Sequence, residues 1–196
     1  MPKRKTRFVR DNYYHIYNRG ANRQSIFADD EDFVDFLQRL KKFVQNSMVQ
    51  TIAYCLLPNH FHLLVRQDAD IEAGLAVQYT CNGYAQRFNA RHQRQGTIFQ
   101  GRYRAEQISQ RDHLRHLCRY IHVNPVRHGL ATSPELWPYS NYLDWIGRRD
   151  GTLVDRDFLT GQFGNVAAYI RFVTSYLVRT SNIPTALQIY LNELEM

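Results

Sequence analysis

Two strand-like segments separated by only three residues constrain the fold of this chain more than any other feature. Residues 49–57 are mainly apolar, as is typical of a buried strand, and residues 61–66 predict a second strand. Residues 58–60 are too few for a crossover connection, so the two strands are expected to be antiparallel neighbours. The apolar character of the first strand places it at the centre of the predicted sheet.

The remaining elements predict a β-α-β-β-α-β order. A strand over residues 13–18 precedes a helix whose N-cap and acidic first turn are residues 29–32. A second helix is predicted over residues 71–92, followed by a strand over residues 103–108. This order is the split βαβ, or ferredoxin-like, arrangement, which is an α+β fold with an antiparallel sheet. Both helices are expected on one face, which leaves the other face free for a ligand.

A third helix and an appended segment follow this core. The helix is predicted over residues 110–124, with Pro125 limiting it near its end. The composition then changes to a segment rich in proline and tryptophan. We therefore expect one domain over residues 1–130 and an appendage, residues 131–196, packed on it, with a flexible tail after residue 181.

The distribution of charge predicts binding to nucleic acid. The formal net charge is +7, and nine arginines between Tyr84 and Arg127 are opposed only by Glu106 and Asp112. Arginines interleaved with aromatic residues suit phosphate contacts and base stacking. A basic arm over residues 1–10 adds further positive charge. The alternative reading is an ordinary solvated basic face.

Other features of the sequence indicate the cellular compartment in which the protein is expected. There is no apolar run of about 18 residues that could cross a membrane, and the N-terminus lacks the apolar stretch of a signal peptide. Three widely separated cysteines indicate buried free thiols. We therefore expect a cytoplasmic protein with no membrane partner.

A pair of histidines marks the start of the predicted strand over residues 61–66. His60 and His62 flank Phe61, and side chains two apart on a strand point to the same face. Two neutral imidazoles that converge in this way suit a divalent metal. Such a pair alone is more often structural than metal-binding. An amide oxygen from Asn124 would complete an open site for Mg²⁺ or Mn²⁺.

The third helix offers a nucleophile beside this pair. Tyr120 and Asn124 are four residues apart and share one helix face. Tyr120 could attack a DNA phosphate polarised by the metal, giving a phosphotyrosine and a free 3′-hydroxyl. A tyrosine can also occupy a polar helix face by chance, and Asn-Pro is an ordinary helix-ending pair. The combination of the histidine pair, the tyrosine and the arginines favours chemistry.

These motifs in combination resemble the HUH single-tyrosine transposases, in particular the REP-associated tyrosine transposases. The matching stretches are residues 14–20, 57–64, 99–103 and 120–127. The resemblance implies a ferredoxin-like core, metal ligands at His60, His62 and Asn124, Tyr120 as nucleophile, and Mg²⁺ or Mn²⁺ as cofactor. It further implies cleavage and rejoining of single-stranded DNA at REP-type hairpins, through a 5′-phosphotyrosine intermediate. It also implies a bacterial, nucleoid-associated protein.

Further DNA contacts are predicted, and two other functions remain open. The candidate DNA-binding residues are Arg19, Asn22, Arg23, Arg87, Arg102, Tyr103, Arg104, Lys3, Arg4 and Lys5. The alternatives are a hairpin DNA- or RNA-binding module without catalysis and a metal hydrolase that uses activated water. Neither alternative needs Tyr120, which therefore discriminates among the three. The sequence leaves both a monomer and a homodimer open.

Overall fold

The fold is built around a four-stranded antiparallel sheet. The computed structural model describes residues 6–178 and 185–195, and its strands are ordered β2-β3-β1-β4. The core elements are β1 (Tyr13–Arg19), α1 (Asp30–Ser47), β2 (Val49–Leu57), β3 (His60–Gln67), α2 (Ala73–Arg91), β4 (Arg104–Ile108) and α3 (Arg111–Arg127). The predicted α+β, ferredoxin-like core with its antiparallel sheet is confirmed.

Local sequence signals explain where α1 begins and which face it buries. The side chain of Asp29 accepts a hydrogen bond from the backbone N–H of Asp32 at 3.2 Å, which is an N-cap. The buried apolar positions repeat at helical spacing and pack on one face of the sheet: Phe33, Phe36, Leu40 and Val44. The helix ends where Met48 takes a left-handed backbone conformation.

The two faces of the sheet bury different sets of side chains. Phe61 and Leu63 of β3 point towards α1 and α2, whereas Leu64 points to the opposite face and packs with α3. The prediction that this second face is free is wrong over much of its area. The apolar stripe of α3 (Leu114, Leu117, Cys118 and Ile121) needs a partner, and the second face provides it.

Strand β2 lies at the edge of the sheet, so its predicted central position is wrong. Its edge is nevertheless covered by the chain around residues 137–141. The backbone N–H of Leu56 donates to the carbonyl of Tyr139 at 2.9 Å, and the N–H of Tyr54 donates to the side chain of Asn141 at 2.8 Å. An edge strand covered in this way is buried like a central one, which accounts for its apolar sequence.

In the described part of the chain, four α-helices follow α3: α4 (Tyr142–Trp145), α5 (Arg156–Phe163), α6 (Val166–Val178) and α7 (Thr185–Glu195). α3 itself continues to Arg127, three residues beyond the predicted end, with Pro125 inside its last turn, so the prediction that Pro125 limits the helix is wrong. Within the predicted tail, residues 181–184 and 196 lie outside the described part of the chain. Leu187 and Leu191 of α7 are buried in the same apolar cluster as α3.

Candidate active site

A cavity of about 480 Å³ opens on the second face of the sheet, where β1 ends and β3 and β4 begin. α3 closes one side of it, and Leu194 of α7 also borders it. Seven of the predicted site residues line this cavity: His60, His62, Tyr120, Arg19, Arg23, Arg102 and Arg104. The fold therefore brings most of the predicted site together, although β3 and α3 are far apart in the sequence.

The turn after β1 places two of these arginines. Gly20 is required there, since a Cβ atom at this position would collide with the backbone carbonyl of Gln24. Asn22 and Arg23 both have positive φ angles, of 53° and 58°. A left-handed backbone at two successive non-glycine residues is uncommon and costs free energy. The surrounding structure stabilises this turn, and the turn directs Arg23 to the cavity.

The two histidines of β3 are held so that one nitrogen of each ring is already engaged. Nδ1 of His62 lies 3.0 Å from Nε2 of His15, and Nδ1 of His60 lies 2.6 Å from the side-chain oxygen of Asn59. The ring centroids of His60 and His62 are 5.2 Å apart. This arrangement leaves Nε2 of each ring as the nitrogen that can bind a ligand.

Both imidazoles are neutral at physiological pH. Burial, together with the smaller effects of the neighbouring His128 and Arg19, lowers the pKa of His60 to about 3. Burial also lowers the pKa of His62 well below its ordinary value, and the nearby His15 acts in the same direction. A neutral imidazole is the form that binds a metal ion. The environment thus keeps the pair in its ligating state.

Tyr120 faces the histidine pair from α3. Its side chain is 1% exposed, and its ring centroid lies 5.6 Å from that of His62. The guanidinium group of Arg127 lies 5.1 Å from the centre of the Tyr120 ring. A cation in this position stabilises negative charge that develops on the phenol. The tyrosine is therefore placed beside both the histidines and a positive charge.

Asn124 has the features of a buried ligand that lacks a partner in the protein. It lies one helical turn from Tyr120 and one turn from His128, whose ring centroid is 5.0 Å from that of His60. Its side-chain oxygen and nitrogen are buried without a hydrogen-bond partner. Such atoms are rare in folded proteins and call for an explanation. A cation bound by the amide oxygen would account for that atom.

The donors that line the cavity are two neutral imidazoles, whereas Asn124 is buried on α3 between Tyr120 and His128 and is not among the cavity-lining residues. Among residues 6–178 and 185–195 there is no group of three or more histidine, cysteine, aspartate or glutamate side chains arranged for metal binding. These donors therefore include fewer negatively charged groups than a typical metal site made only of protein ligands. Mg²⁺ and Mn²⁺ fit such sparse sites when substrate oxygens complete their coordination.

The other predicted DNA-binding residues fall in different places. Asn22 lines a shallow groove next to the cavity, together with Arg19 and Arg23. Arg87 lies on α2, on the opposite side of the sheet, where it pairs with Glu31 at 3.0 Å. The predicted residues Lys3, Arg4 and Lys5 lie outside the described part of the chain. The structure thus places Asn22, but not Arg87, near the candidate active site.

Tyr103 lies in the apolar core rather than on a surface that DNA could reach. Its side chain is 6% exposed, and its hydroxyl occupies the space in which a Cβ atom at Gly74 would lie. A ring that stacks on a base must be accessible. This burial speaks against the base-stacking role predicted for Tyr103.

Several residues of the site were missed by sequence reasoning. His15 and Tyr17 alternate on β1 and point to the same face as His62, as the register of β1 and β3 requires. Their spacing of two residues on a predicted strand would have been enough to place both side chains on one face of the sheet. His128 continues the four-residue spacing from Tyr120 and Asn124, so helical spacing also pointed to it. Tyr190 on α7 gave no signal in the sequence.

Comparison with known proteins identifies the class. The family model described as "Transposase IS200 like" matches residues 8–124, which include β3 and the cavity-facing part of α3. The chain belongs to this family of transposases. It is 29% identical over 119 residues to a protein of Haemophilus influenzae described as a REP-associated tyrosine transposase, covering 55% of this chain and 67% of that protein.

A solved structure shows the same fold. The structure of a REP-associated tyrosine transposase bound to a REP hairpin aligns with a TM-score of 0.62 and 18% identity, covering 80% of this chain and 98% of the other. The predicted resemblance to the REP-associated tyrosine transposases is confirmed by these two similarities. Within the described residues, no helix is both long and apolar enough to cross a membrane.

Proposed function

We propose that this transposase cleaves and rejoins single-stranded DNA at the foot of REP-type hairpins, with Tyr120 as the nucleophile. The observation that carries the proposal is the cavity that brings Tyr120 together with His60 and His62 and with cavity-lining arginines. The similarity to a transposase whose solved structure holds a REP hairpin supports the choice of substrate.

The proposed reaction exchanges one phosphate ester for another. The phenol oxygen of Tyr120 attacks the phosphorus, the bond to the 3′-oxygen breaks, and the departing 3′-oxygen takes up a proton. The product is a 5′-phosphotyrosine and a free 3′-hydroxyl, and attack by a 3′-hydroxyl reverses the step. Arg127 stabilises the charge that develops on the phenol as its proton leaves.

His60, His62 and Asn124 are the residues proposed to hold Mg²⁺ or Mn²⁺. When bound, the ion supplies polarisation of the phosphate and fixes the orientation of the ester. The neutral state of the two imidazoles and the unpartnered amide of Asn124 support this assignment. Arg19, Arg23, Arg102 and Arg104 are proposed to bind the phosphates on either side of the scissile bond.

We further propose that one chain suffices for this site. Tyr120 and His62 belong to the same chain, and their ring centroids are 5.6 Å apart. A site completed by a partner would leave these two side chains apart within each chain. The arrangement is therefore compatible with a catalytic monomer. Residues 1–130 are proposed as the catalytic unit, with the following segment as its support.

The test is a labelling experiment with a single-stranded hairpin carrying a flanking single strand. The DNA is labelled at either its 5′ or its 3′ end and incubated with Mg²⁺, with Mn²⁺ or with a chelator, then resolved on a denaturing gel. We expect a metal-dependent adduct that retains only the 3′-end label, because the protein joins the 5′ phosphate. The chelator should abolish it.

The other outcomes correspond to the alternative functions. Metal-dependent cleavage without an adduct would identify a hydrolase that uses activated water, and the proposal would then be wrong. Tight binding of the hairpin without any cleavage, in either metal, would identify a binding module. An adduct that retains the 5′-end label would contradict the proposed polarity.

Substituting a cavity arginine should weaken DNA binding in a salt-dependent way. We expect Arg19→Ala to reduce the slope of log affinity against log salt concentration by about one, because one phosphate contact is lost. Arg87→Ala is the matched control, since Arg87 is an exposed arginine on the far side of the sheet. The measurement is fluorescence anisotropy over a salt series. Equal slopes for wild type and Arg19→Ala would refute the contact.

A further inference from the structure

A chain of hydrogen bonds runs from the C-terminal helix to the histidine pair. The hydroxyl of Tyr190 on α7 lies 2.6 Å from Nδ1 of His15, and Nε2 of His15 lies 3.0 Å from Nδ1 of His62. His15 and His62 are buried and their rings stack with centroids 5.2 Å apart. We propose that Tyr190 and His15 are positioning residues that fix the tautomer of His62 in its metal-binding form.

The number of protons shared by Tyr190, His15 and His62 limits how these hydrogen bonds can be arranged. A neutral imidazole carries one N–H, and each of the two hydrogen bonds contains one proton. Both hydrogen bonds must therefore be donated in the same direction, either from His62 towards Tyr190 or from Tyr190 towards His62. If Nδ1 of His62 donates to His15, then Nδ1 of His15 donates to the oxygen of Tyr190. Nε2 of His62 then has a free lone pair. This direction leaves His62 ready to bind a metal.

The opposite direction blocks the site. If Tyr190 donates to Nδ1 of His15, then Nε2 of His15 donates to Nδ1 of His62. The remaining proton of His62 must then sit on Nε2, the nitrogen that faces the cavity. An imidazole protonated at that nitrogen cannot act as a ligand there. Whether His62 can bind a metal therefore depends on whether the hydroxyl of Tyr190 accepts a hydrogen bond from His15 or donates one to it.

This inference rests on the proposed function, because it assigns His62 as a ligand. It goes beyond that function in giving a role to Tyr190, which lies far outside residues 8–124 matched by the family model. His15 belongs to β1 and Tyr190 to α7, so the support for one histidine spans nearly the whole chain. Groups that hydrogen-bond to the outer nitrogen of a ligating histidine orient the ring and raise its affinity for metal.

The first test measures binding of Mn²⁺ alone, without DNA, by calorimetry on the full chain. We expect His15→Phe to weaken the affinity by about 10- to 100-fold, since it removes the acceptor for Nδ1 of His62. His15→Gln should restore much of it, because the amide oxygen can accept the same hydrogen bond. Tyr190→Phe should also weaken binding, and Tyr79→Phe, at an exposed ring on α2, should not.

The second test reads the tautomer directly. Nitrogen-15 NMR of histidine-labelled protein without metal should show His62 protonated at Nδ1 in the wild type. A mixture of tautomers is expected in His15→Phe and in Tyr190→Phe. Tyr190→Phe removes only one oxygen atom and should fold. The tautomer can therefore still be tested if His15→Phe does not fold. A purely structural role for Tyr190 would lower the unfolding temperature without changing the tautomer.

The outcomes separate this inference from the proposed function. If the wild type forms the DNA adduct but both variants keep wild-type Mn²⁺ affinity and tautomer, the positioning role is refuted and the proposed function stands. If no adduct forms on any hairpin but Mn²⁺ affinity follows His15 and Tyr190 as expected, the positioning role stands without the DNA chemistry. A wild type that binds Mn²⁺ neither alone nor with hairpin DNA present would overturn both.

Discussion

Tyr120→Phe should abolish the covalent adduct with hairpin DNA while leaving hairpin binding intact. The change removes only the phenol oxygen, and Phe fits the same buried space beside His62. Phenylalanine has no oxygen that can join the phosphate, so no adduct forms at this position, and cleavage by the remaining groups should slow by at least about 10³-fold. The rate is measured on denaturing gels at saturating hairpin, with Mn²⁺ present.

The matched control for this prediction is Tyr17→Phe. Tyr17 is a second tyrosine that lines the same cavity, and its ring lies 5.9 Å from that of His62. We expect this variant to keep forming the adduct. If the adduct instead disappears in Tyr17→Phe and persists in Tyr120→Phe, the assignment of the nucleophile is wrong. Loss of hairpin binding in Tyr120→Phe would point to a structural role for its hydroxyl.

Trp145→Ala should lower the free energy of unfolding by about 3–5 kcal/mol, as is usual for truncation of a large buried aromatic residue. Trp145 is fully buried, its ring centroid lies 4.5 Å from that of Tyr169, and its indole N–H donates to the carbonyl of Ile52 at 2.9 Å. The substitution leaves a cavity and removes one of the two hydrogen bonds to the Ile52 carbonyl, whose other donor is the side-chain amide of Asn141. Denaturation in urea, followed by circular dichroism, measures the change.

Leu136→Ala provides the comparison for that prediction. Leu136 comes from the same segment of the chain but is 65% exposed, so its truncation should change stability by less than about 0.5 kcal/mol. A small effect of Trp145→Ala would mean that the segment after residue 130 is only loosely attached to the sheet. A large effect shows that the segment and the sheet unfold together.

Local periodicity was enough to predict the elements that carry the site. The alternation around Phe61 placed His60 and His62 on one face, and the four-residue spacing placed Tyr120 and Asn124 on one side of α3. The N-cap at Asp29 and the bounds of β2 were also predicted from neighbouring residues. These features depend on residues close in sequence, so they can be predicted from the local sequence alone.

Tertiary contacts explain the features that the local sequence patterns did not predict. Tyr103 is buried because Gly74 leaves room for its hydroxyl, and the two residues are distant in sequence. Strand β2 resembles a central strand because residues near Tyr139 cover its edge. No local pattern links Tyr190 to His15. Positions of this kind depend on which segments meet in space, and periodicity does not encode that.

The histidine pair and the tyrosine differ in how firmly they are held. Strand β3 is hydrogen-bonded to β2 on one side and to β1 on the other, so its backbone belongs to the part of a protein that opens least readily. Helix α3 meets the sheet through side chains. A change in the separation of Tyr120 from the imidazoles is therefore a movement of the helix over a fixed strand. Because a helix moves as a rod, Tyr120, Asn124 and Arg127 would shift together and keep their mutual spacing.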